Sequence, residues 1–268
     1  MIERAKKYCE NFFQNKVIQG SRFYYYLALL IYSMTYFKVG RDRVYSATNI
    51  LVGKKQMIVK NNIGKFKVNT TNDSLSKSTQ NFEENIRKWF YKNKKRRIFL
   101  DIGANIGFYT VLAVNVLRYE NIYSFEPSKK TYNLLEENIK INNLKNVNCY
   151  NLGVGSENIT TYIENNKGHT GKNKINREKG QKIQINILDD ILPEEKHDKV
   201  DMIKIDVEGY ELKVLKGSSN ILKSVEKGTI IIIEIKKNNR KEAINILKNN
   251  NFEKIEKVGE DYLFRKKT

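Results

Sequence analysis

Cysteine is scarce in this chain of 268 residues, which contains only two. Cys9 and Cys149 lie far apart and form no Cys-x-x-Cys spacing, so neither a disulfide framework nor a cysteine-based metal site is indicated. A reducing cytoplasm is therefore the simplest compartment to expect, and we predict no resident metal.

Long apolar runs are also missing. The segment Phe23 to Phe37 is fifteen residues long and contains five tyrosines, whereas a bilayer-spanning helix needs about 20 apolar residues. No signal-peptide pattern precedes it. Its basic flanks leave three interpretations open: a buried packing helix, a helix that covers a substrate pocket, or an interfacial helix that contacts a membrane through residues 22–43.

Acidic residues are outnumbered, with 30 against 49 basic residues and a formal net charge of +19. A charge of this size attracts nucleic acids, anionic lipid surfaces or phosphorylated substrates, but it does not choose among them. A compositional bias of the source genome explains it equally well. The basic run from Lys92 to Arg97 is either a phosphate-binding patch or a solvated loop below a strand.

The chain does contain a glycine-punctuated turn between an apolar strand pattern, Ile98 to Leu100, and a helix pattern, Phe108 to Leu117. Glycine lets the backbone approach a ligand closely, and the first amides of a helix are free to donate hydrogen bonds. The spacing Gly-x-x-x-Gly lacks the middle glycine of a dinucleotide fingerprint, which weakens a pyrophosphate-binding interpretation. The turn residues expected to bind a cofactor are Asp101, Gly103, Ala104, Asn105 and Gly107.

A second acid follows about one βα unit later. The apolar-rich segment Ile122 to Phe125 ends in Glu126 and Pro127, and an acid at the tip of the second strand is where a ribose diol is held. The two segments together favour S-adenosylmethionine, although the residues alone leave other nucleotide cofactors open.

A third segment, Asp201 to Tyr210, reads as a buried strand that ends in Asp206 and Glu208. With it, the chain resembles the FkbM family of S-adenosylmethionine-dependent methyltransferases over roughly Glu83 to Ile235. The segments that carry the resemblance are Asp101-Ile-Gly-Ala-Asn-Ile-Gly107, Phe125-Glu-Pro127, Asn138 with Asn142, Leu188-Asp189-Asp190 and Ile203-Lys-Ile-Asp-Val-Glu-Gly-Tyr-Glu211.

The resemblance implies S-adenosylmethionine as cofactor and methyl transfer to hydroxyl groups of sugars and other natural products. It places the adenine end near Asn151, which is otherwise a turn asparagine. Glu211 and Glu234 match acids of the family pattern, but no role is implied for them. The expected acceptor is a sugar, a glycan or another hydroxyl-bearing small molecule.

The segments after residue 80 predict an α/β fold. Near-continuous apolar strands that alternate with amphipathic helices indicate a mostly parallel sheet covered on both faces. The closing pair, Phe252 to Lys257 and Asp261 to Arg265, has a connection short enough only for antiparallel strands. The resemblance implies a Rossmann-like class I methyltransferase fold with a seven-stranded sheet.

We expect residues 1–80 to form an N-terminal extension and residues 81–268 to form the methyltransferase domain. Within the extension, residues 1–20 and 23–37 have helical patterns, followed by β patterns at Ile50 to Val52, Gln56 to Val59 and Lys65 to Val68.

A hairpin-like excursion is predicted inside the methyltransferase domain, with strands at Ile159 to Ile163 and Lys182 to Ile187. Its tip carries His169, and a charged turn carries His197. Each histidine is either an exposed or structural residue or a substrate contact.

Asp206 and Glu208 are the predicted catalytic residues, because they lie two apart and project to the same side of an extended strand. Either acid could take the acceptor proton, directly or through water, or bind the cofactor ammonium. A divalent cation held together with Asp189 is a further alternative. Glu208 could instead pair with Lys204 or cap the following turn.

The leading functional hypothesis is an O-methyltransferase that acts on a sugar or glycan hydroxyl. The chain has Asp206-Val-Glu-Gly where amino-group methyltransferases carry an Asn/Asp-Pro-Pro-Tyr signature. The alternatives are an RNA methyltransferase, favoured by the net charge and by the basic run from Lys92 to Arg97, and a binding protein that keeps the fold but has lost catalysis.

Overall fold

The N-terminal part of the chain forms a small antiparallel sheet with helices beside it. The computed structural model describes residues 15–33, 41–70, 74–78, 82–164, 174–176 and 179–267. The elements of the N-terminal part are β1 (Lys16–Gln19), α1 (Arg22–Ser33), α2 (Arg41–Leu51), β2 (Gln56–Lys60), β3 (Lys65–Asn69) and α3 (Ser74–Lys77). The sheet order is β1-β2-β3, with both pairs antiparallel.

Two predictions for the extension are wrong. The expected strand at Ile50 to Val52 belongs to the end of α2, where the Val52 amide donates to the Thr48 carbonyl at 2.9 Å. Thr48 and Val52 are buried four residues apart, so one packed helix face outweighs the β-branched composition. Val17 was expected in a helix, but β1 pairs with the free edge of β2 instead. Residues 1–14 lie outside the described residues.

The predicted strands Gln56 to Val59 and Lys65 to Val68 are confirmed as β2 and β3. Their turn is fixed by Asn61, whose side-chain oxygen accepts the amides of Ile63 at 2.8 Å and Gly64 at 3.1 Å. A side chain that replaces backbone acceptors in this way is typical of asparagine in turns.

The rest of the chain alternates strands with helices. Its first half contains α4 (Glu84–Phe90), β4 (Ile98–Ile102), α5 (Phe108–Asn115), β5 (Asn121–Phe125), α6 (Lys129–Ile141), β6 (Val147–Tyr150), β7 (Gly153–Gly155), β8 (Ile159–Glu164), β9 (Lys174–Asn176) and β10 (Gln181–Ile187). Its second half contains α7 (Leu188–Ile191), a 3-10 turn (Glu194–Lys199), β11 (Val200–Ile205), α8 (Glu211–Lys216), α9 (Ser219–Ser224), β12 (Ile230–Glu234), a 3-10 turn (Lys237–Asn239), α10 (Arg240–Asn249), β13 (Phe252–Val258) and β14 (Asp261–Lys266).

Seven strands form the central sheet, in the order β13-β14-β12-β11-β4-β5-β6. Five of them run parallel from β12 to β6, and β14 is antiparallel to both of its neighbours. Every residue of β4 and β11 is buried, as expected for strands covered on both faces. The predicted fold, a Rossmann-like class I methyltransferase sheet with seven strands, is confirmed.

A second sheet, in the order β7-β10-β8-β9, forms the predicted excursion. β8 and β10 pair antiparallel from Ile163 opposite Gln181 to Ile159 opposite Ile185, which confirms the two predicted strands. The tip of the excursion includes His169, which lies outside the described residues.

The extension packs on α6 through two asparagine side chains. Asn138 accepts the Lys67 amide at 2.6 Å and donates to the Ile106 carbonyl at 2.7 Å. Asn142 accepts the Lys65 amide at 2.8 Å and donates to the Lys65 carbonyl at 2.6 Å. β3 and α6 are therefore joined through the backbone of β3, and the domain division at residue 80 stays a prediction.

We expect Asn138→Ala to lower the free energy of unfolding by about 1–3 kcal/mol for each buried group it leaves unpaired. Urea denaturation measures this loss, with Asn148→Ala as the control because Asn148 is exposed on β6. Equal stabilities of the two variants would contradict this role of Asn138.

Candidate active site

The carboxyl ends of β4 and β11 lie side by side at the point where the strand order reverses. From β4 the chain continues to β5 and β6 on one side, and β11 continues to β12 on the other. In open α/β sheets, ligands bind in the crevice at such a switch point. The loops after β4, β5, β11 and β12 therefore form the candidate site.

Gly103 forms the contact between the loops that follow β4 and β11. Its φ is +83°, and a Cβ on this residue would lie 1.9 Å from the carbonyl oxygen of Asp206. The Gly103 amide donates to the Phe125 carbonyl at 3.0 Å, and the Asp206 amide donates to the Ile102 carbonyl at 3.0 Å. Only glycine fits here, because any side chain would separate the two strand ends.

The remaining turn residues wrap towards β5. The Ala104 amide donates to the Phe125 carbonyl at 3.0 Å, and the Asn105 amide donates to a Glu126 carboxylate oxygen at 3.0 Å. Gly107 starts α5 with a φ of +84°, and a Cβ there would lie 2.5 Å from the Leu135 side chain. The turn is therefore held by β5 on one side and packed against α6 on the other.

Glu126 is a buried carboxylate fixed by two backbone amides. One oxygen accepts the Asn105 amide and the other accepts the Ser128 amide, each at 3.0 Å. Burial raises the pKa of Glu126 to about 7, although the Ser128 and Asn105 amides act in the opposite direction. The structure thus brings the predicted second-strand acid directly against the glycine turn.

Asn151 holds the backbone around Glu126. Its side-chain nitrogen donates to the Glu126 carbonyl at 2.9 Å and to the Pro127 carbonyl at 3.1 Å. These bonds make Asn151 a brace for the Glu126–Pro127 turn, and its predicted contact with adenine stays a prediction.

Asp101 lies beneath the turn. It is buried, and Thr110 donates its hydroxyl to the Asp101 carboxylate at 2.6 Å. Burial raises the pKa of Asp101 to about 6, with Thr110 acting in the opposite direction. The carboxylate supports the start of α5 from below, and its predicted contact with a cofactor stays a prediction.

Three acids meet on the other side of Gly103. Asp206, Glu208 and Glu234 each place a carboxylate oxygen within 4.8 Å of those of the other two. Their side chains keep 31%, 26% and 21% exposure, so the cluster opens to solvent. Sequence reasoning assigned no role to Glu234, although it ends a strand next to β11 and parallel to it.

Two lysines neutralise the acid cluster. The buried Lys204 ammonium lies 3.1 Å from Asp206 and 4.9 Å from the ring centre of Tyr109. Lys236 bonds to Glu234 and lies 3.2 Å from Glu208. The alternative pairing of Glu208 with Lys204 is therefore wrong, since each lysine serves a different acid.

The pKa values of Asp206 and Glu234 are shifted in opposite directions. Burial opposes ionisation of Asp206, but the charge of Lys204 and a hydrogen bond from Glu234 outweigh it and lower the Asp206 pKa to about 2. Burial and the Asp206 charge raise the pKa of Glu234 to about 8, against the opposing effect of Lys236. The pKa values of two close carboxyl groups move apart in this way because ionisation of one group disfavours ionisation of the other.

Glu211 braces the turn that carries Glu208. It is fully buried and accepts the Gly209 amide at 2.8 Å and the Asn239 side chain at 2.6 Å. Glu208 itself has a φ of +47°, a conformation that costs free energy for a residue with a side chain. Glu211, for which no role was expected, therefore supports the geometry of the turn that follows β11.

Glu83 is a site neighbour that sequence reasoning missed. Tyr109 donates its hydroxyl to Glu83 at 2.6 Å, and burial raises the Glu83 pKa while Lys204 opposes the shift. Glu83 precedes α4 with no recognisable motif around it, so no local signal could have placed it beside Lys204.

Other predicted candidates lie away from the cluster. Asp189 accepts the amides of Asn220 at 2.8 Å and Ile221 at 3.0 Å at the start of α9, so the cation site that included Asp189 is wrong. His197 is buried against the Leu192 carbonyl at 2.8 Å, which rules out the predicted substrate contact at this residue.

The basic run before β4 is largely paired. Arg97 lies 2.7 Å from the buried Asp201 and 3.0 Å from Glu226, and Lys95 also pairs with Glu226. These residues lie at the amino end of the sheet, opposite the switch-point crevice. The structure therefore favours a structural role over a phosphate-binding patch.

We expect Glu234→Gln to change how stability depends on pH. Because the folded-state pKa of Glu234 is raised to about 8, the proton bound in the folded protein stabilises it at low pH, and this contribution is lost as pH rises through that value. The wild type should lose up to about 1.4 kcal/mol per pH unit relative to the variant between the ordinary glutamate pKa and 8. Denaturant unfolding at several pH values measures the difference. If the free energies of unfolding of the wild type and the variant change equally with pH, the raised pKa of Glu234 is contradicted.

Comparison with known proteins gives a family for this chain. The methyltransferase FkbM domain matches residues 101–265. Methyltransferase sdnD of Sordaria araneosa is 29% identical over 152 residues, which cover 44% of this chain and 59% of that protein. Hexuronic acid methyltransferase AglP of Haloferax volcanii is 29% identical over 143 residues, which cover 52% of this chain and 55% of that protein. The chain thus spans little more than half the length of these relatives.

A solved structure with a similar chain is the methyltransferase FkbM from Methylobacillus flagellatus KT, with a TM-score of 0.48 and 16% identity over 64% of this chain and 43% of that one. The domain match begins at Asp101, the last polar residue before the glycine turn, and ends at Arg265 in the reversed strand β14. Because the domain match covers the loops that follow β4 and β11 and more than half of the sequence, the chain belongs to the methyltransferase FkbM domain family.

Proposed function

We propose that this chain is an S-adenosylmethionine-dependent O-methyltransferase that acts on a hydroxyl group of a sugar or glycan. The observation that carries the proposal is the contact of Gly103 with the Asp206 carbonyl. This contact puts a glycine turn suited to a cofactor directly beside a solvent-accessible acid cluster suited to an acceptor hydroxyl.

The residues around Glu126 fit the ribose of this cofactor. A carboxylate offers about four acceptor positions, and two backbone amides occupy one on each oxygen of Glu126. Glu126 is buried, so water has little access to its remaining acceptor positions. Two hydroxyl donors from a ribose diol would restore hydrogen bonds that this carboxylate lacks.

When bound, the cofactor supplies an electrophilic methyl group on a sulfonium centre. The protein must then hold an acceptor oxygen in line with that methyl group, and such alignment is worth up to roughly 7–11 kcal/mol in well-oriented systems. Asp206 is ionised and accessible, so it can accept a hydrogen bond from the acceptor hydroxyl and attract positive charge. Lys204 below it holds the carboxylate in one orientation.

The ion pair with Lys204 also limits Asp206 as a base. A carboxylate with a pKa of about 2 takes a proton less readily than one matched to the working pH. We therefore assign Asp206 first to orientation of the acceptor hydroxyl and then to acceptance of its proton, directly or through water. Glu208 lies close enough to share this second task.

Two observations support a hydroxyl of a sugar as acceptor. The turn after β11 reads Asp206-Val-Glu-Gly and lacks the amino-group signature. One relative is named a hexuronic acid methyltransferase. The net charge of +19 favours RNA as the second candidate, but the basic run that supported RNA is paired with acids at the opposite end of the sheet.

We expect Glu126→Gln to weaken binding of S-adenosylmethionine at least about tenfold, because charge-assisted hydrogen bonds to the ribose would become neutral ones. Isothermal titration calorimetry measures the dissociation constant, and Glu157→Gln serves as the control because Glu157 is exposed. An unchanged constant for the Glu126 variant would contradict the cofactor site.

We expect Asp206→Ala to lower turnover at least about a hundredfold and to retain cofactor binding, because it removes the acceptor contact and the nearest proton acceptor. Transfer of a labelled methyl group into an oligosaccharide fraction measures turnover. Full activity of the variant would contradict this role of Asp206. Label that enters RNA instead of the oligosaccharide would favour RNA as the acceptor.

A further inference from the structure

Large apolar side chains are exposed mainly in the N-terminal part of the chain. Among the described residues, five of the eight exposed large apolar side chains lie between Ile18 and Leu51. Phe23 and Ile50 are 69% and 80% exposed. Isolated exposed apolar residues need no explanation, but such a concentration marks an interaction surface.

These side chains share one region of the surface. Phe23 and Leu30 are seven residues apart on α1, so they lie on the same side of that helix, two turns apart. α2 packs against α1 and presents Ile50 and Leu51 in its last turn. Lys55, four residues after the end of α2, lies over the Tyr24 ring at 5.3 Å from its centre, which brings the segment after α2 beside the first turn of α1.

The same region is strongly basic. Between residues 11 and 72 the sequence has ten lysines and arginines and a single acid, Asp42. Within the part of the chain that the structure describes, no carboxylate lies within ion-pair distance of Lys54 or Lys55. Both ammonium groups are therefore available to an external anion.

An open pocket of about 590 Å³ lies beside these lysines. Ser21, Tyr24, Lys54 and Lys55 are among the residues that line it. Hydroxyl and ammonium donors on one wall suit a phosphate group, and the exposed apolar side chains nearby suit acyl chains. The two features together match the two parts of a lipid at a bilayer surface.

We propose that the docking face formed by Phe23, Leu30, Ile50, Leu51, Lys54 and Lys55 binds the surface of an anionic lipid bilayer. The apolar side chains enter the boundary between headgroups and acyl chains, and the two lysines hold a lipid phosphate at the pocket. Among the described residues no helix combines the length and apolar composition needed to cross a bilayer. This proposal does not depend on methyl transfer.

RNA is a poorer match for the docking face. A phosphodiester backbone would use the lysines, but it would leave the aliphatic side chains of Leu30, Ile50 and Leu51 in water. A lipid surface uses both features at once, which is why the observations favour it.

Flotation of the full chain with vesicles tests the proposal. We expect binding to vesicles of phosphatidylcholine with phosphatidylglycerol, little binding to phosphatidylcholine alone, and weaker binding at high salt because counterions screen the lysines. The double variant Phe23→Ser/Ile50→Ser should bind at least tenfold more weakly, because both side chains lose their burial in lipid. Lys54→Gln/Lys55→Gln should lose about fivefold for each lysine.

Matched controls replace exposed residues elsewhere. Tyr91→Ser/Ile255→Ser and Lys237→Gln/Lys241→Gln change the same kinds of residue away from the docking face, and we expect wild-type binding for both. Thermal unfolding of every variant shows whether the fold is kept, and the substituted side chains are exposed in each case.

Two results would overturn the proposal: no binding to anionic vesicles at low salt, or binding that the Phe23/Ile50 variant leaves unchanged. Tight binding of single-stranded RNA that depends on Lys54 and Lys55 but competes with vesicles would also overturn it in favour of a nucleic-acid surface. Because the flotation contains no cofactor, its failure leaves the methyl-transfer proposal untouched.

Discussion

The parallel pairing of β4 with β11 presses Gly103 onto the carbonyl of Asp206 at the sheet's switch point. The glycine turn is then tied to β5 through the Phe125 carbonyl and the Glu126 carboxylate. The two halves of the crevice are thus held by strand register and not by flexible surface loops. A shift in that register would move the glycine turn and the acid cluster relative to each other, so the sheet itself sets the spacing between the two parts of the proposed site.

Charge at the crevice is balanced by residues of the same strands. Lys204 lies two residues before Asp206 and Lys236 two residues after Glu234, so each strand end carries both an acid and its partner cation. The buried Lys204 favours the anionic form of Asp206, whereas burial and the Asp206 charge raise the pKa of Glu234 and so favour its neutral form. The result is a cluster of limited negative charge whose most accessible anion faces the crevice.

Local patterns predicted the parts of the molecule that depend on local sequence. The apolar strands, the turn at Gly103 and the acids Glu126 and Asp206 follow from short runs whose burial and turn chemistry can be read directly. Contacts between distant segments could not be read in this way. No local pattern indicated that Glu83 would approach Lys204 or that Lys236 would pair with Glu208. The β-branched end of α2 is helical because of packing around Thr48, which the local sequence also did not indicate.

β3 is the edge strand of the small sheet, and α6 covers that edge with the side-chain amides of Asn138 and Asn142. These amides contact main-chain atoms of residues 65 and 67, and the Lys67 side chain adds an ion pair with Glu137. The joint between the extension and the central sheet therefore combines hydrogen bonds to the backbone of β3 with apolar packing, in which the Phe66 ring stacks on the Phe108 ring with 5.8 Å between their centres. Substitution of Lys65 leaves these main-chain hydrogen bonds in place, whereas loss of the buried Phe66 ring would remove packing that the extension and the central sheet share.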